Sequence, residues 1–235
     1  MEPCPVLLVH GFASTAEHNW SQTGWLDLLA DAGRETIAVD LPGHGPGPHP
    51  ASPADYATVE DDVAAALGDR APVDAIGFSA GAHILLHLAA KEPARFRRLA
   101  LLGIGPGAID RAIDRAGDGT PGTQALAAAL ENEGDPDLEN SYGLVLRRLA
   151  DGLGHDRAAL AAFLRRPQSP LTAADLAAIS CPVLVVLGDK DPAGPGDGLA
   201  AAFGDARLVT LRGVDHFGTP ADVRCMEAVL GFLDA

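Results

Sequence analysis

The stretch Val73 to Leu88, VDAIGFSAGAHILLHL, constrains the chain more than any other. Val73, Ala75 and Ile76 make an apolar run of the kind that forms a buried strand, while Gly81, Ile84, Leu85 and Leu88 recur at helical spacing, so Ser79 falls where strand turns into helix. A turn that sharp places the serine backbone in a sparsely populated conformation, at roughly 1–3 kcal/mol. Gly77 and Gly81 flank it two residues away on either side and keep side chains out of the close approach between strand and helix. The hydroxyl is lifted clear of the sheet at the N-terminus of the helix, where the dipole favours a developing negative charge. In a chain with 27 glycines this five-residue pattern is not specific by itself, so its surroundings must carry the weight.

The chain has 235 residues, enough for a sizeable core, and α/β proteins of this length are often one domain. It is acidic: 17 Lys and Arg against 32 Asp and Glu leave a net charge of −15. Such a field repels phosphate backbones and anionic lipid, which argues against nucleic-acid and membrane-surface partners. Three cysteines give neither a disulfide framework nor a CxxC pair. Cys4 and Cys181 each precede a proline at the start of a strand and Cys225 lies in an apolar helical run, so all three read as packing residues. The beginning, MEPCPVLLVHGF, has no basic leader, and no later run reaches the ~18 apolar residues of a membrane span. The expected location is the cytoplasm.

Taken in order, Val6 to Val9 is a continuous apolar run, as in a parallel strand covered on both faces, and it feeds the loop His10-Gly11-Phe12-Ala13-Ser14. The same signature recurs at Thr36 to Val39, Val73 to Ile76, Leu99 to Leu102, Val183 to Leu187 and Leu208 to Leu211, predicting about six strands. Between them run amphipathic stretches: Trp25, Leu26, Leu29, Ala32; Tyr56, Val59, Val63, Leu67; the helix opened by Ser79; and Val223, Met226, Leu230, Leu233. This alternation predicts an α/β fold, a doubly wound, mostly parallel sheet with helices on both faces and right-handed crossovers. From Gly105 to Ser180 the strand signal stops and Gly/Pro turns, alanine-rich helical stretches and an acidic run take over. So long a loop without structure is improbable. The expected division is therefore a core of residues 1–104 and 181–235 with residues 105–180 inserted as a small helical cap over the sheet edge where Ser79 emerges. The alanine bias reads as genome composition.

A serine hydroxyl is a poor nucleophile near neutral pH unless a base activates it. Two later strand ends supply partners: Val183 to Leu187 runs into Gly188-Asp189-Lys190-Asp191-Pro192, and Leu208 to Leu211 into Arg212-Gly213-Val214-Asp215-His216-Phe217. Ser, then Asp, then His, each past the carboxyl end of a strand, is a known chain order for such a triad. Through His10-Gly11-Phe12, Asp40-Leu41-Pro42-Gly43-His44-Gly45, the GFSAG turn, Gly188 to Asp191 and Gly213 to His216, nearly the whole chain resembles the α/β-hydrolase fold enzymes. The resemblance implies Ser79 as nucleophile, His216 as general base and Asp191 as orienting acid, with the backbone N–H groups of Phe12 and Ala80 as oxyanion hole. In relatives the acid falls three residues after the strand-ending glycine, which selects Asp191 over Asp189; Asp110 occupies the position used by some lipases. Because the first strand begins so early, the two leading antiparallel strands of the full family fold are expected to be missing, leaving an exposed edge that a second copy of the chain would be suited to cover.

Other side chains have plainer readings. His10 shapes its loop; His44 and His49 lie in a proline-rich, solvated loop; Asp189 and Asp215 are turn residues. His83 and His87 share a helix face at a spacing zinc can use, but no third ligand is apparent, so no metal or cofactor is expected. Phe12, Trp20 and Phe217 flank the active loops and are candidates to line the substrate pocket. The resemblance implies a serine hydrolase of a small, mostly apolar carboxylic ester, acting through an acyl-enzyme. A serine at the turn argues against the dehalogenase and epoxide hydrolase branches, which carry aspartate there. A carbon–carbon bond hydrolase or lyase, or a thioesterase, uses the same triad, and a ligand-binding receptor with little turnover is the alternative of another class.

Overall fold

The six apolar runs become strands: β1 (Val6–Val9), β2 (Thr36–Val39), β3 (Val73–Phe78), β4 (Phe96–Leu102), β5 (Val183–Gly188) and β6 (Ala206–Leu211). All neighbours pair in parallel, in the order β2-β1-β3-β4-β5-β6. The computed structural model describes residues 4–70, 72–107, 121–132 and 142–234. Among these the helices are α1 (Trp25–Asp31), α2 (Val59–Leu67), α3 (Ala80–Lys91), α4 (Pro121–Glu131), α5 (Tyr142–Gly152), α6 (Arg157–Leu164), α7 (Ala173–Ala177), α8 (Asp197–Ala200) and α9 (Val223–Leu233).

Alternate side chains of the central strands feed two cores. Leu7, Val9, Val73, Ala75, Leu99, Leu101, Val183 and Val185 pack with Val59, Val63 and Leu67 of α2, Ile84, Leu85 and Leu88 of α3, and Leu199 of α8. Val6, Leu8, Ile76, Ala100, Leu102, Leu184 and Val186 pack on the other face with Trp25 and Leu29 of α1 and Val229, Phe232 and Leu233 of α9. Having both faces covered is what makes these strands read as unbroken apolar runs. The two outer strands differ: β2 and β6 are largely half-buried, with Ala38 exposed, because each has a neighbour on one side only.

Strand order changes direction between β1 and β3, and in open α/β sheets the crevice at the carboxyl ends beside such a point is where ligands bind. The loop after β1 holds Phe12 and the turn after β3 holds Ser79, so the topology brings the two together.

The described part of residues 105–180 is helical. Ala127 and Leu130 of α4, Ala150 of α5 and Leu160 and Ala161 of α6 form a third cluster with Ala13. Small alanines let these helices approach closely, so the alanine bias has a packing consequence here. The Asp156 side chain accepts from the Ala158 and Ala159 N–H groups and opens α6; a reciprocal Thr172–Asp175 pair opens α7. Phe163, Leu171, Leu176 and Ile179 enter the principal core beside α3. Asp110 lies outside the described residues. No helix among the described residues is long and apolar enough to cross a membrane.

Candidate active site

Ser79 sits at the junction of β3 and α3 with φ 50° and ψ −111°, the strained conformation its surroundings impose. Its N–H donates to the Leu102 carbonyl at 2.9 Å, which ties the turn to β4. The turn closes because a glycine follows it. A Cβ on Gly81 would stand 2.1 Å from the Val9 carbonyl oxygen, so no other residue lets α3 start this close to β1.

The sequence-designated serine, histidine and aspartate come together in one chain of hydrogen bonds. His216 Nδ1–H donates to Asp191 Oδ2 at 2.9 Å. With Nδ1 carrying the proton, Nε2 is left to accept from the Ser79 hydroxyl, 3.0 Å away. Asp191 and His216 are both buried, and the second Asp191 oxygen accepts from the Ala193 N–H at 2.9 Å. The rivals are occupied elsewhere. Asp189 accepts from the Gly213 N–H at 2.7 Å and exposed Asp215 from the Gly218 N–H at 2.9 Å, both as turn residues.

The loop after β1 is braced by three residues outside it, Leu41, Asp40 and Asn19. His10, fully buried, donates from Nδ1 to the Gly11 carbonyl at 2.8 Å and accepts at Nε2 from the Leu41 N–H at 3.0 Å. Burial drives its pKa down to about 4, so it is held neutral. Asp40 accepts from the Ala16 N–H at 2.7 Å, which explains why the Asp40 to Gly45 motif accompanies this loop. Asn19, on the turn Glu17–Ser21, accepts from the Gly11 N–H at 2.9 Å. Ala13 holds a left-handed backbone at φ 55°. The Phe12 N–H donates to no other group among the described residues, and the Ala80 N–H, at the first position of α3, has no helical acceptor.

His44 is not solvated as the sequence suggested. It is fully buried, its ring 5.6 Å from Phe12, 5.7 Å from His155 and 4.9 Å from Phe163, because α6 folds back over this loop and brings Phe163 onto it. Burial, with His10 adding, depresses its pKa well below the ordinary value. His49 is exposed and reaches the Gly45 carbonyl at 2.9 Å.

A cavity of about 840 Å³ opens over Ser79, with Phe12, Ile104, Leu126, Leu146, Leu149 and Phe163 among its apolar walls. Phe217 lines it, as does Phe12. Trp20 does not. It is fully buried in the core below the sheet, its ring edge-on to Trp25 at 5.9 Å, and its neighbours His18 and Asn19 face the cavity instead. His83 and His87 also line the cavity, and no cluster of three metal-ligating side chains occurs among the described residues. Asn19, His44, Phe78 and Phe163 contribute without having been singled out as site residues in the sequence; only His44 and Phe78 stood in recognisable motifs.

The family model for the alpha/beta hydrolase family matches residues 6–226. The chain belongs to that family. It is 30% identical to the pimeloyl-[acyl-carrier protein] methyl ester esterase of Neisseria meningitidis serogroup B over 194 residues, 76% of this chain and 74% of that one. Among solved structures, a hydrolase from Pseudomonas aeruginosa PA01 superposes with a TM-score of 0.71 at 28% identity, covering 100% of this chain and 91% of the other. The esterase RhEst1 from Rhodococcus sp. ECU1013 gives 0.69 at 24% identity, covering 99% and 91%, and shares the fold.

Proposed function

We propose that this α/β-hydrolase is a serine esterase that cleaves a carboxylic ester with a mostly apolar body through an acyl-enzyme. The observation that carries the reading is the continuous Asp191–His216–Ser79 hydrogen-bond chain, at 2.9 and 3.0 Å, opening on the cavity floor. His216 takes the Ser79 proton as the hydroxyl oxygen attacks the ester carbon, then returns it to the departing alcohol; water repeats the cycle to release the acid. Asp191 holds the Nδ1–H tautomer and stabilises the imidazolium. The Phe12 and Ala80 N–H groups receive the oxyanion, each such donor being worth about 3 kcal/mol of barrier. The esterase named among the relatives supports the ester bond as target. The cavity is larger than a short ester needs, which favours substrates with longer acyl or alcohol groups.

The test is a fluorophosphonate probe followed by intact mass and peptide mapping, alongside hydrolysis of p-nitrophenyl esters of increasing acyl length. Labelling confined to Ser79, lost in Ser79→Ala, with ester turnover is the expected result. An unlabelled protein, or a Ser79→Ala variant that still hydrolyses esters, refutes the assignment.

A further inference from the structure

Phe78, the last residue of β3 and next to the nucleophile, packs between Gly11 in the loop after β1 and Gly103 just past β4. It is 4% exposed and lines the cavity. Its ring fills a slot whose two walls are glycines. A Cβ on Gly11 would lie 2.6 Å from Phe78 Cδ1, and one on Gly103, just past β4, 2.7 Å from Cε2. Gly11 immediately precedes Phe12, whose N–H is assigned to the oxyanion. Past Gly103 stands the base itself: the same added Cβ would be 3.2 Å from His216 Cε1, and the imidazole centroid is 5.0 Å from that of Phe78, the planes tilted by 36°.

We propose that Phe78 is a positioning residue that sets, through one ring, both the orientation of the His216 imidazole and the placement of the loop presenting the Phe12 N–H. This rests on the Ser79–His216 reading above. The base and the oxyanion donor come from opposite ends of the chain and share no hydrogen bond among those between described residues, whereas His216 and Gly11, the residue before Phe12, both lie against Phe78. An aromatic ring near an imidazole also serves the reaction, because the imidazole becomes a cation as Ser79 attacks, and a π-system within about 6 Å of a cation attracts it. A side chain without a ring leaves the slot between Gly11 and Gly103 loose on the side of the oxyanion loop and removes that attraction on the side of His216.

The experiment measures the rate of Ser79 phosphonylation as a function of fluorophosphonate concentration, separating the maximal rate from the concentration at half-saturation, in wild type, Phe78→Leu, Phe78→Met and Phe78→Tyr. Thermal melts identify variants that fold. The expected result is a maximal rate reduced about tenfold or more in the folded ring-less variants, with half-saturation within about threefold, and a rate within about threefold of wild type in Phe78→Tyr. Ring-less variants that react at the wild-type rate, or a Phe78→Tyr rate as low as theirs, overturn the role of Phe78 while Ser79 labelling leaves the esterase reading standing. A wild-type protein that is not labelled at Ser79 overturns both.

Discussion

His216 Nδ1 and Asp191 Oδ2 lie 2.9 Å apart, while Asp189, two residues earlier on the same loop, spends its carboxylate on the Gly213 N–H at 2.7 Å. The loop after β5 thus separates two aspartates by task, one toward the imidazole and one toward the next turn. An amide at residue 191 would offer Nδ1 a donor or a weaker acceptor and favour the tautomer that protonates Nε2, which can no longer accept from Ser79.

Asp191→Asn is accordingly expected to lower kcat/KM for p-nitrophenyl esters by about three to four orders of magnitude. Asp189→Asn, which keeps an oxygen to accept from the Gly213 N–H, should remain within about threefold of wild type. Steady-state kinetics of the two purified variants decides, and the reverse ranking would move the acid to Asp189.

Phe163 joins the inserted helices to the loop at the carboxyl end of β1. It is 1% exposed, with ring contacts to Phe12 at 6.0 Å, Tyr56 at 5.6 Å and His44 at 4.9 Å. Removing a ring from so dense a cluster leaves a cavity, and Phe163→Ala is expected to destabilise the protein by about 3–5 kcal/mol in urea denaturation. Phe163→Leu, which refills much of the volume, should lose well under half of that. Equal losses would mean that the aromatic contacts of the ring, rather than the volume it fills, hold the cluster together.

These cases show what the sequence could and could not carry. The turn at Ser79, the apolar centres of the strands and the Ser, Asp, His order are local patterns, and local patterns survive in a one-dimensional text. Strand ends were less visible: Arg97 and Arg98 in β4 and Arg207 in β6 are strand residues whose polarity hides them. The edge character of β2 was hidden too, since an apolar run looks the same with one neighbour or two. Trp20 and His44 were misplaced for a common reason. Each sits in a loop-like stretch, and what buries it, Trp25 and the sheet in one case and Phe163 in the other, is set by tertiary packing that neighbouring residues do not encode.

Acid should weaken this fold while most carboxylates are still ionised. Burial, the largest cause, lowers the His10 pKa from 6.5 to about 4 and that of His44 well below 6.5; His155 shifts the same way for the same reason. In the unfolded chain these imidazoles take up protons near pH 6.5 while the folded protein keeps them neutral. Between pH 6.5 and 4 the unfolded state therefore binds more protons, and stability rises with pH. It is full above pH 6.5 and declines as pH falls toward 4, by on the order of 3 kcal/mol for His10 alone. Urea denaturation between pH 7.5 and 4.5 should show the decline, and His44→Phe, which cannot be protonated, should make it shallower. An unchanged slope in that variant would contradict the assignment of His44 as a buried neutral group.

Asp74 makes the opposite end of the sheet a separate test. It is fully buried at the start of β3, bonded to both Arg34 and Arg97, with Arg97 Nε donating to Oδ1 at 2.8 Å. Arg34 Nε also donates to the Cys4 carbonyl at 2.8 Å and Arg97 Nη2 to the Leu233 carbonyl at 2.8 Å, so one carboxylate gathers β3, β4, the segment before β1 and the end of α9. Arg34 is 7% exposed, and Asp74→Ala strips it of its main counter-charge where water cannot replace it. Breaking a buried pair from one side typically costs about 3–5 kcal/mol, and that loss is expected in urea denaturation. Arg97→Ala should cost less, because the Arg97 side chain is 37% exposed and its partner keeps Arg34. The site lies at the carboxyl ends of the same strands, so folded Asp74→Ala should be labelled at Ser79 by a fluorophosphonate within about threefold of the wild-type rate. A labelling loss that exceeds the unfolded fraction would show that the strand bases and Ser79 are mechanically coupled, and the separation of stability from chemistry along the sheet would fail.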